Sequence, residues 1–294
     1  MTDAKTTFGY YPGCSLHSTG AEYDISFKAV CEKLGIELQE PKGWICCGAT
    51  AGHMTSKLLA AALPVRTMSL YEQAGISDIV VPCAACYARC KAALHETAHD
   101  KELKKDVDEV VGRPFAGKVK ILNPLEVFIN LLTPEKVKTL VTKPLTQMKV
   151  VCYYGCLLTR PPKVMQFDVC EYPMSMDKIL RAVGIKTLDW SYKTDCCGGS
   201  LALTRTDIVV KLARDILEEA RAVGANAIAV ACPLCHANLD TRQTEVEEKY
   251  ATTYNIPILY FTQLLGLAFG VPAEDLAFKK HLVSPEPLLA GTPA

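Results

Sequence analysis

The chain has no net charge, no long apolar run and no leader-like start, and each absence closes off a class of function. Its 294 residues hold 32 Lys and Arg against 32 Asp and Glu. No basic block is interleaved with aromatics, so bulk electrostatics gives no reason to expect a nucleic-acid partner. The longest apolar stretches, such as residues 264–271, fall well short of the roughly 20 residues that span a bilayer. Residues 1–14 lack a charged segment followed by an apolar one, so a secretory leader is not expected. The expectation is a cytoplasmic protein without a membrane span.

What the chain has in excess is cysteine, with 14 in all. In the cytoplasm thiols are kept reduced, so cysteines with Cys-x-x-Cys spacing read as metal ligands before they read as disulfides. Ten of them form one pattern used twice: Cys14, Cys46-Cys47-Gly48 and Cys83-x-x-Cys86, then Cys156, Cys196-Cys197-Gly198 and Cys232-x-x-Cys235. The intervening lengths are 31 and 35 residues in the first half and 39 and 34 in the second. Each half thus supplies five thiols, one more than a tetrahedral zinc ion or an ordinary cubane cluster uses. Adjacent cysteines sit badly on one tetrahedral ion, whereas neighbouring irons of a cluster take one each. The pattern favours a polynuclear iron-sulfur assembly in each half.

Around these cysteines strands and helices alternate. Residues 7–11 read as a strand running into Cys14, 21–34 as a helix, 36–39 as a strand, 56–74 as a long helix closed by Gly75, and 78–81 as a buried strand ending at Pro82-Cys83. The second half repeats this with strands at 149–154, 187–190 and 227–231 and helices at 174–183 and 207–223. A helix follows each Cys-x-x-Cys, and residues 119–128 are echoed by 256–265. Such alternation implies an α/β fold of two duplicated domains, each a mainly parallel sheet with flanking helices, related by a pseudo-two-fold repeat. In such sheets sites form at the carboxyl ends of strands, where Cys14, Cys83, Cys156 and Cys232 fall. Lys, Thr and Pro concentrate between Pro134 and Met148, which places a boundary there, with domains 1–143 and 144–294 and a core in each.

The two cysteine runs, with Tyr10-Tyr11-Pro12-Gly13-Cys14-Ser15, Trp44-Ile45-Cys46-Cys47-Gly48-Ala49, Cys152-Tyr153-Tyr154-Gly155-Cys156 and the tail from Gly270 to Leu289, resemble the paired CCG domains of the B subunits of heterodisulfide reductase. The resemblance covers nearly the whole chain. It implies two noncubane [4Fe-4S] clusters, each on five cysteines of one repeat, that reduce a disulfide of two small thiol coenzymes, with the coenzyme M/coenzyme B heterodisulfide as reference substrate. It implies as partners an electron-delivering iron-sulfur subunit (the C component) and a flavin-containing subunit (the A component), with a hydrogenase or dehydrogenase module as a further one. A disulfide takes two electrons, and a cluster usually passes one at a time. Two clusters facing one pocket would therefore supply one electron each. An electron-relay subunit of another redox complex and a zinc-bound scaffold are the alternatives; zinc without iron would exclude both redox readings.

Other residues divide into candidates and bystanders. His17, His53 and His236 stand near patterned cysteines as candidate proton donors to product thiolates. Arg160 and Arg205 are candidates for an anionic substrate group such as a sulfonate, phosphate or carboxylate. Tyr10, Tyr11, Tyr153 and Tyr154 are candidate pocket walls or core. Cys31, Cys90 and Cys170 are expected outside the ligand sets. Cys152 competes with Cys156, and matching Tyr10-Tyr11-Pro12-Gly13-Cys14 to Tyr153-Tyr154-Gly155-Cys156 favours Cys156. His95-Glu96-Thr97-Ala98-His99 has the zinc-protease spacing. It lies in a charged helix without a convincing third ligand, and the second half lacks it.

Overall fold

The structure is a computed structural model that describes residues 6–290. It contains two four-stranded sheets in which every pairing is parallel. The first has β1 (Thr6–Tyr10), β2 (Ile36–Gln39), β3 (Asp78–Val80) and β4 (Lys120–Leu122) in the order β2-β1-β3-β4. The second has β5 (Lys149–Tyr153), β6 (Lys186–Leu188), β7 (Ala227–Val230) and β8 (Ile258–Tyr260) in the order β6-β5-β7-β8. Strands β7 and β8 are buried throughout, as expected of parallel strands covered on both faces by helices. Sequence and structure thus agree on a duplicated α/β fold, and the structure adds that both sheets share one strand order.

That order fixes where a site forms. The chain crosses from β1 to β2 on one side and then returns to β3 on the other, so the switch point lies between β1 and β3. In the second sheet it lies between β5 and β7. A crevice opens outside the carboxyl ends of the two strands that flank a switch point. Cys14 and Cys83 follow β1 and β3, and Cys156 and Cys232 follow β5 and β7.

The boundary stretch from Pro134 to Met148 is itself structured: Pro134–Leu140 is helical, and Val137, Leu145 and Met148 are buried. The Thr142 and Lys143 amides both donate to the Ala268 carbonyl. One expectation is corrected: the two sheets do not each keep their own core, because one apolar cluster runs through both. Helix Ala21–Lys33 packs on Phe261–Ala268, and reciprocally Ser175–Ala182 packs on Pro124–Leu131. Each pair joins the helix after the first strand of one sheet to the helix after the last strand of the other, which is the reciprocity of an isologous contact. The aromatics Phe27, Phe128 and Phe261 form the joint, with ring centroids 5.6 and 5.9 Å apart. Sequence periodicity marks these faces as apolar but says nothing about which repeat each face meets.

Candidate functional site

In both repeats the helix after the third strand begins inside the Cys-x-x-Cys, not after it. Cys83 and Cys232 are the N-cap residues of helices Ala84–His99 and Pro233–Thr241, with extended backbone. Cys86 and Cys235 therefore sit in the first turn, and in the first repeat the Cys86 thiol, together with the free Cys86 and Ala85 amides of that turn, holds the buried Cys83 thiol down.

The ten patterned thiols gather in two groups of five. In the first, the Sγ atoms of Cys14 and Cys46 are 4.0 Å apart and those of Cys47 and Cys86 3.2 Å apart. In the second, Cys156 and Cys196 are 3.9 Å apart and Cys197 and Cys235 3.6 Å apart. These separations exceed the roughly 2.05 Å of a disulfide and suit sulfurs converging on shared metal. Cys14, Cys46 and Cys196 are exposed and Cys156 half-buried, while Cys47, Cys83, Cys86, Cys197, Cys232 and Cys235 are buried. The thiols also polarise one another. Contact with the Cys86 thiol holds the Cys47 thiol down to about 7, and the Cys156 thiol, which donates to Cys196, holds that one down to about 6. Their partners Cys86 and Cys156 are pushed up.

Backbone shape supports the same reading twice. Gly13 and Gly155 have φ of +68° and +66°, and a Cβ on either would lie 2.8 Å from the Sγ of Cys86 or Cys235. Only glycine allows this turn and this approach. The Gly48 and Gly198 amides face the Sγ atoms of Cys46 and Cys196 at 3.5 and 3.3 Å. Five convergent thiols, a glycine cradle and amides facing sulfur fit an iron-sulfur centre in each repeat.

A cavity of about 290 Å³ opens against the second group. All five of its thiol residues line it, and the first group's do not. The opposite wall nevertheless comes from the first repeat, from Ala84, Ala85, Ala88 and Ala92 on one helix face and from His53 on the short helix Gly52–Thr55. The expected cavity between two thiol groups is thus one-sided: from the first repeat it meets the alanines of the Cys83-x-x-Cys86 helix and not the thiols.

The remaining candidates separate cleanly. His53 is exposed and lines the cavity. His17 is away from it, edge-on to Trp44 and 3.7 Å from Glu40. His236 is buried, with Nδ1 3.6 Å from Glu22 and Nε2 3.1 Å from His281 Nδ1. Arg160 lines the cavity with its guanidinium held by the Thr194 carbonyl and hydroxyl and by Glu171. Arg205 is exposed, pairs with Asp207 at 2.9 Å and does not line the cavity. Of the four tyrosines only Tyr154 does. His95 and His99 stack on an exposed surface, and the His99 ring bonds to the His95 carbonyl. Among the described residues the one group of three side chains with ligand atoms close enough to share a single metal ion is His236, Asp240 and His281. Each already has hydrogen-bond partners.

The structure changes how the repeats align before the first thiol. Tyr11 donates to the carbonyl of Ile45 and Tyr153 to that of Asp195, each the residue before its cysteine pair. Tyr11 therefore corresponds to Tyr153 without a gap, and Cys152 corresponds to Tyr10. Cys152 lies fully buried in β5, and burial pushes its thiol well up. Cys31 and Cys90 are likewise buried and pushed up. Cys152→Ala is expected to keep the second centre and Cys156→Ala to lose it, read as iron per chain; the reverse result would exchange their roles.

Sequence reading missed Arg89. It stands three residues after Cys86, where the second repeat has Asn238, whose amide donates to the Cys197 carbonyl at 3.0 Å. Arg89 donates to the Ala60 carbonyl at 3.2 Å, lines the cavity, and helps to lower the Cys47 thiol. The signal was available as a mismatch between otherwise parallel repeats.

The buried imidazoles predict an acid response. Burial lowers His281 from its ordinary 6.5 to about 4, so between these values the unfolded chain takes up a proton that the folded chain refuses. This contribution is intact above about pH 6.5 and is lost progressively as pH falls towards 4. His281→Gln is expected to reduce the drop in urea midpoint between pH 7 and 4.5, and an unchanged drop would acquit this residue.

Comparison with known proteins follows the same lines. The family model described as a cysteine-rich domain, CCG, matches residues 8–91 and 150–240. A Methanosarcina acetivorans protein named as the B subunit of a ferredoxin/F(420)H(2)-dependent CoB-CoM heterodisulfide reductase is 30% identical over 93% of this chain and 92% of its own length. A Wolinella succinogenes protein named 8-methylmenaquinol:fumarate reductase membrane anchor subunit is 28% identical over 94% of this chain and 96% of its own. No helix among the described residues is long and apolar enough to cross a membrane. Among solved structures, a hypothetical protein from Helicobacter pylori shares the fold at a TM-score of 0.76 and 14% identity, over 96% of this chain and 53% of that one.

Proposed function

The chain belongs to the cysteine-rich CCG domain family, and from that premise we propose that it is the disulfide-reducing subunit of a heterodisulfide reductase-type complex. In this reading the repeats 1–143 and 144–294 each hold one noncubane [4Fe-4S] cluster. The ligands are Cys14, Cys46, Cys47, Cys83 and Cys86 in one and Cys156, Cys196, Cys197, Cys232 and Cys235 in the other. The observation that carries it is the cavity whose thiol wall is one complete group of five. A relay centre needs no room for a small molecule beside its ligands.

Bound iron-sulfur would supply single electrons and an electrophilic site for sulfur. The chain's own residues do the rest. Ala84, Ala85, Ala88 and Ala92 present an apolar wall that displaces water from the disulfide. His53 is placed to give a proton to a departing thiolate, and Arg160 and Arg89 to attract an anionic substituent. Overall the disulfide takes up two electrons and two protons and leaves as two thiols. In this reading the electrons come from partner subunits, an iron-sulfur protein and a flavin-containing one. In this reading the work is done in the cytoplasm, where thiols are kept reduced.

Anaerobic reconstitution followed by iron and acid-labile sulfide analysis tests the premise, and zinc without iron would overturn it. Adding a small disulfide to the reduced protein then tests catalysis: the paramagnetic signal is expected to change with release of thiol. A signal indifferent to any disulfide would favour an electron-relay subunit of another redox complex.

A further inference from the structure

Between the two thiol groups lies a pair of tyrosines contributed by opposite repeats. Tyr23, from helix Ala21–Lys33, and Tyr260, at the end of β8, stack with ring centroids 4.4 Å apart and an interplanar angle of 12°. The His236 ring continues the stack on Tyr260 at 4.5 Å. Gly20 permits the approach: a Cβ there would lie 2.8 Å from Pro233 Cβ and 3.4 Å from the Tyr260 hydroxyl. Pro233 follows Cys232 directly, so the phenols stand beside the start of the second Cys-x-x-Cys.

Both hydroxyls are sealed from solvent and have no hydrogen-bond partner. One buried hydroxyl left unpaired costs about 1–3 kcal/mol, and two side by side in a stack call for an acceptor. Burial pushes both phenols far up, so both remain donors, and the sulfurs that bear on both are Cys232 and Cys83, with Cys232 the stronger. Those two residues belong to different thiol groups.

Resting on the iron-sulfur reading above, we propose that Tyr23 and Tyr260 donate their hydroxyls to sulfur at the centres of Cys232 and Cys83, and so tune both centres from one shared element. A donor to cluster sulfur stabilises the more negative, reduced state and raises its potential. Because the stack is built from both repeats, it ties this tuning to correct docking of one repeat on the other. Nothing in the cysteine pattern requires such a bridge.

The test uses the reconstituted full chain. Iron and sulfide analysis of the unaltered protein checks the premise first, so its failure is separable from failure of the proposal. Tyr23→Phe and Tyr260→Phe keep the ring and delete only the donor. At full iron content, potentiometric titration followed by paramagnetic resonance is expected to show a shift to more negative potential, larger for the second-repeat centre. Unchanged potentials in both variants would overturn the proposal. If a variant fails to load iron, the unaltered protein still decides: Fe–S stretching bands should shift on H/D exchange and lose that shift in the other variant. Bands indifferent to exchange would also overturn it.

Discussion

Cys196→Ala is expected to reduce disulfide turnover to the rate of the iron-free protein, with loss of substrate binding as well. Cys196 is the exposed member of the group that lines the cavity, and the Cys156 thiol holds its thiol down to about 6. Cys46→Ala should also stop turnover, but for a different reason. Its group does not line the cavity, so a disulfide still enters while the second electron has no source. The two variants therefore separate in one experiment. Turnover, substrate-induced change in the paramagnetic signal and iron content are measured on each, with the surviving centre reduced by a dye. Cys46→Ala should retain the substrate-induced change and Cys196→Ala should lose it. Substantial turnover by either variant, with one centre demonstrably absent, would end the two-centre mechanism.

The second large effect concerns an ion pair that serves the second centre from beneath. Lys193 and Asp177 are buried, with Nζ 2.9 Å from both carboxylate oxygens. Tyr154 donates to the same carboxylate at 2.8 Å, and the Lys193 carbonyl accepts from the Tyr154 and Gly155 amides. The pair thus pins the segment leading into Cys196 to the end of β5, where Gly155-Cys156 begins. Removing one partner leaves an uncompensated buried charge, which typically costs about 3–5 kcal/mol. Lys193→Met is expected to destabilise by that order in urea unfolding and to lower iron in the second centre. Adding Asp177→Leu should recover much of the loss, because two apolar side chains can fill the site without a stranded charge. A single variant as stable as the unaltered chain would show that the pair is dispensable.

These residues mark where sequence reading stops. Lys193 and Asp177 look like ordinary surface charges in a linear reading, since neither periodicity nor motif signals a pair 16 residues apart inside the protein. Arg89 was visible only as a departure from the second repeat, and its meaning came from the cavity it lines. The alignment of Tyr10 with Cys152 was obscured because tyrosine pairs in both repeats invited a one-residue slip. The hydrogen bonds of Tyr11 and Tyr153 to equivalent carbonyls remove it.

By itself the sequence determined the chemistry and the repeat. Ten cysteines in two matched sets name the soft donors, and strand-helix alternation places them at the ends of parallel strands, because covalent spacing and local periodicity are properties of the chain alone. Tertiary structure decided what the two repeats do together. It fused their cores through reciprocal helix packing, turned the cavity towards one thiol group, buried the Lys193–Asp177 pair and stacked Tyr23 on Tyr260. Each depends on which apolar face meets which. Burial energy is non-directional, so only the assembled shape selects among faces that a linear reading scores as equivalent.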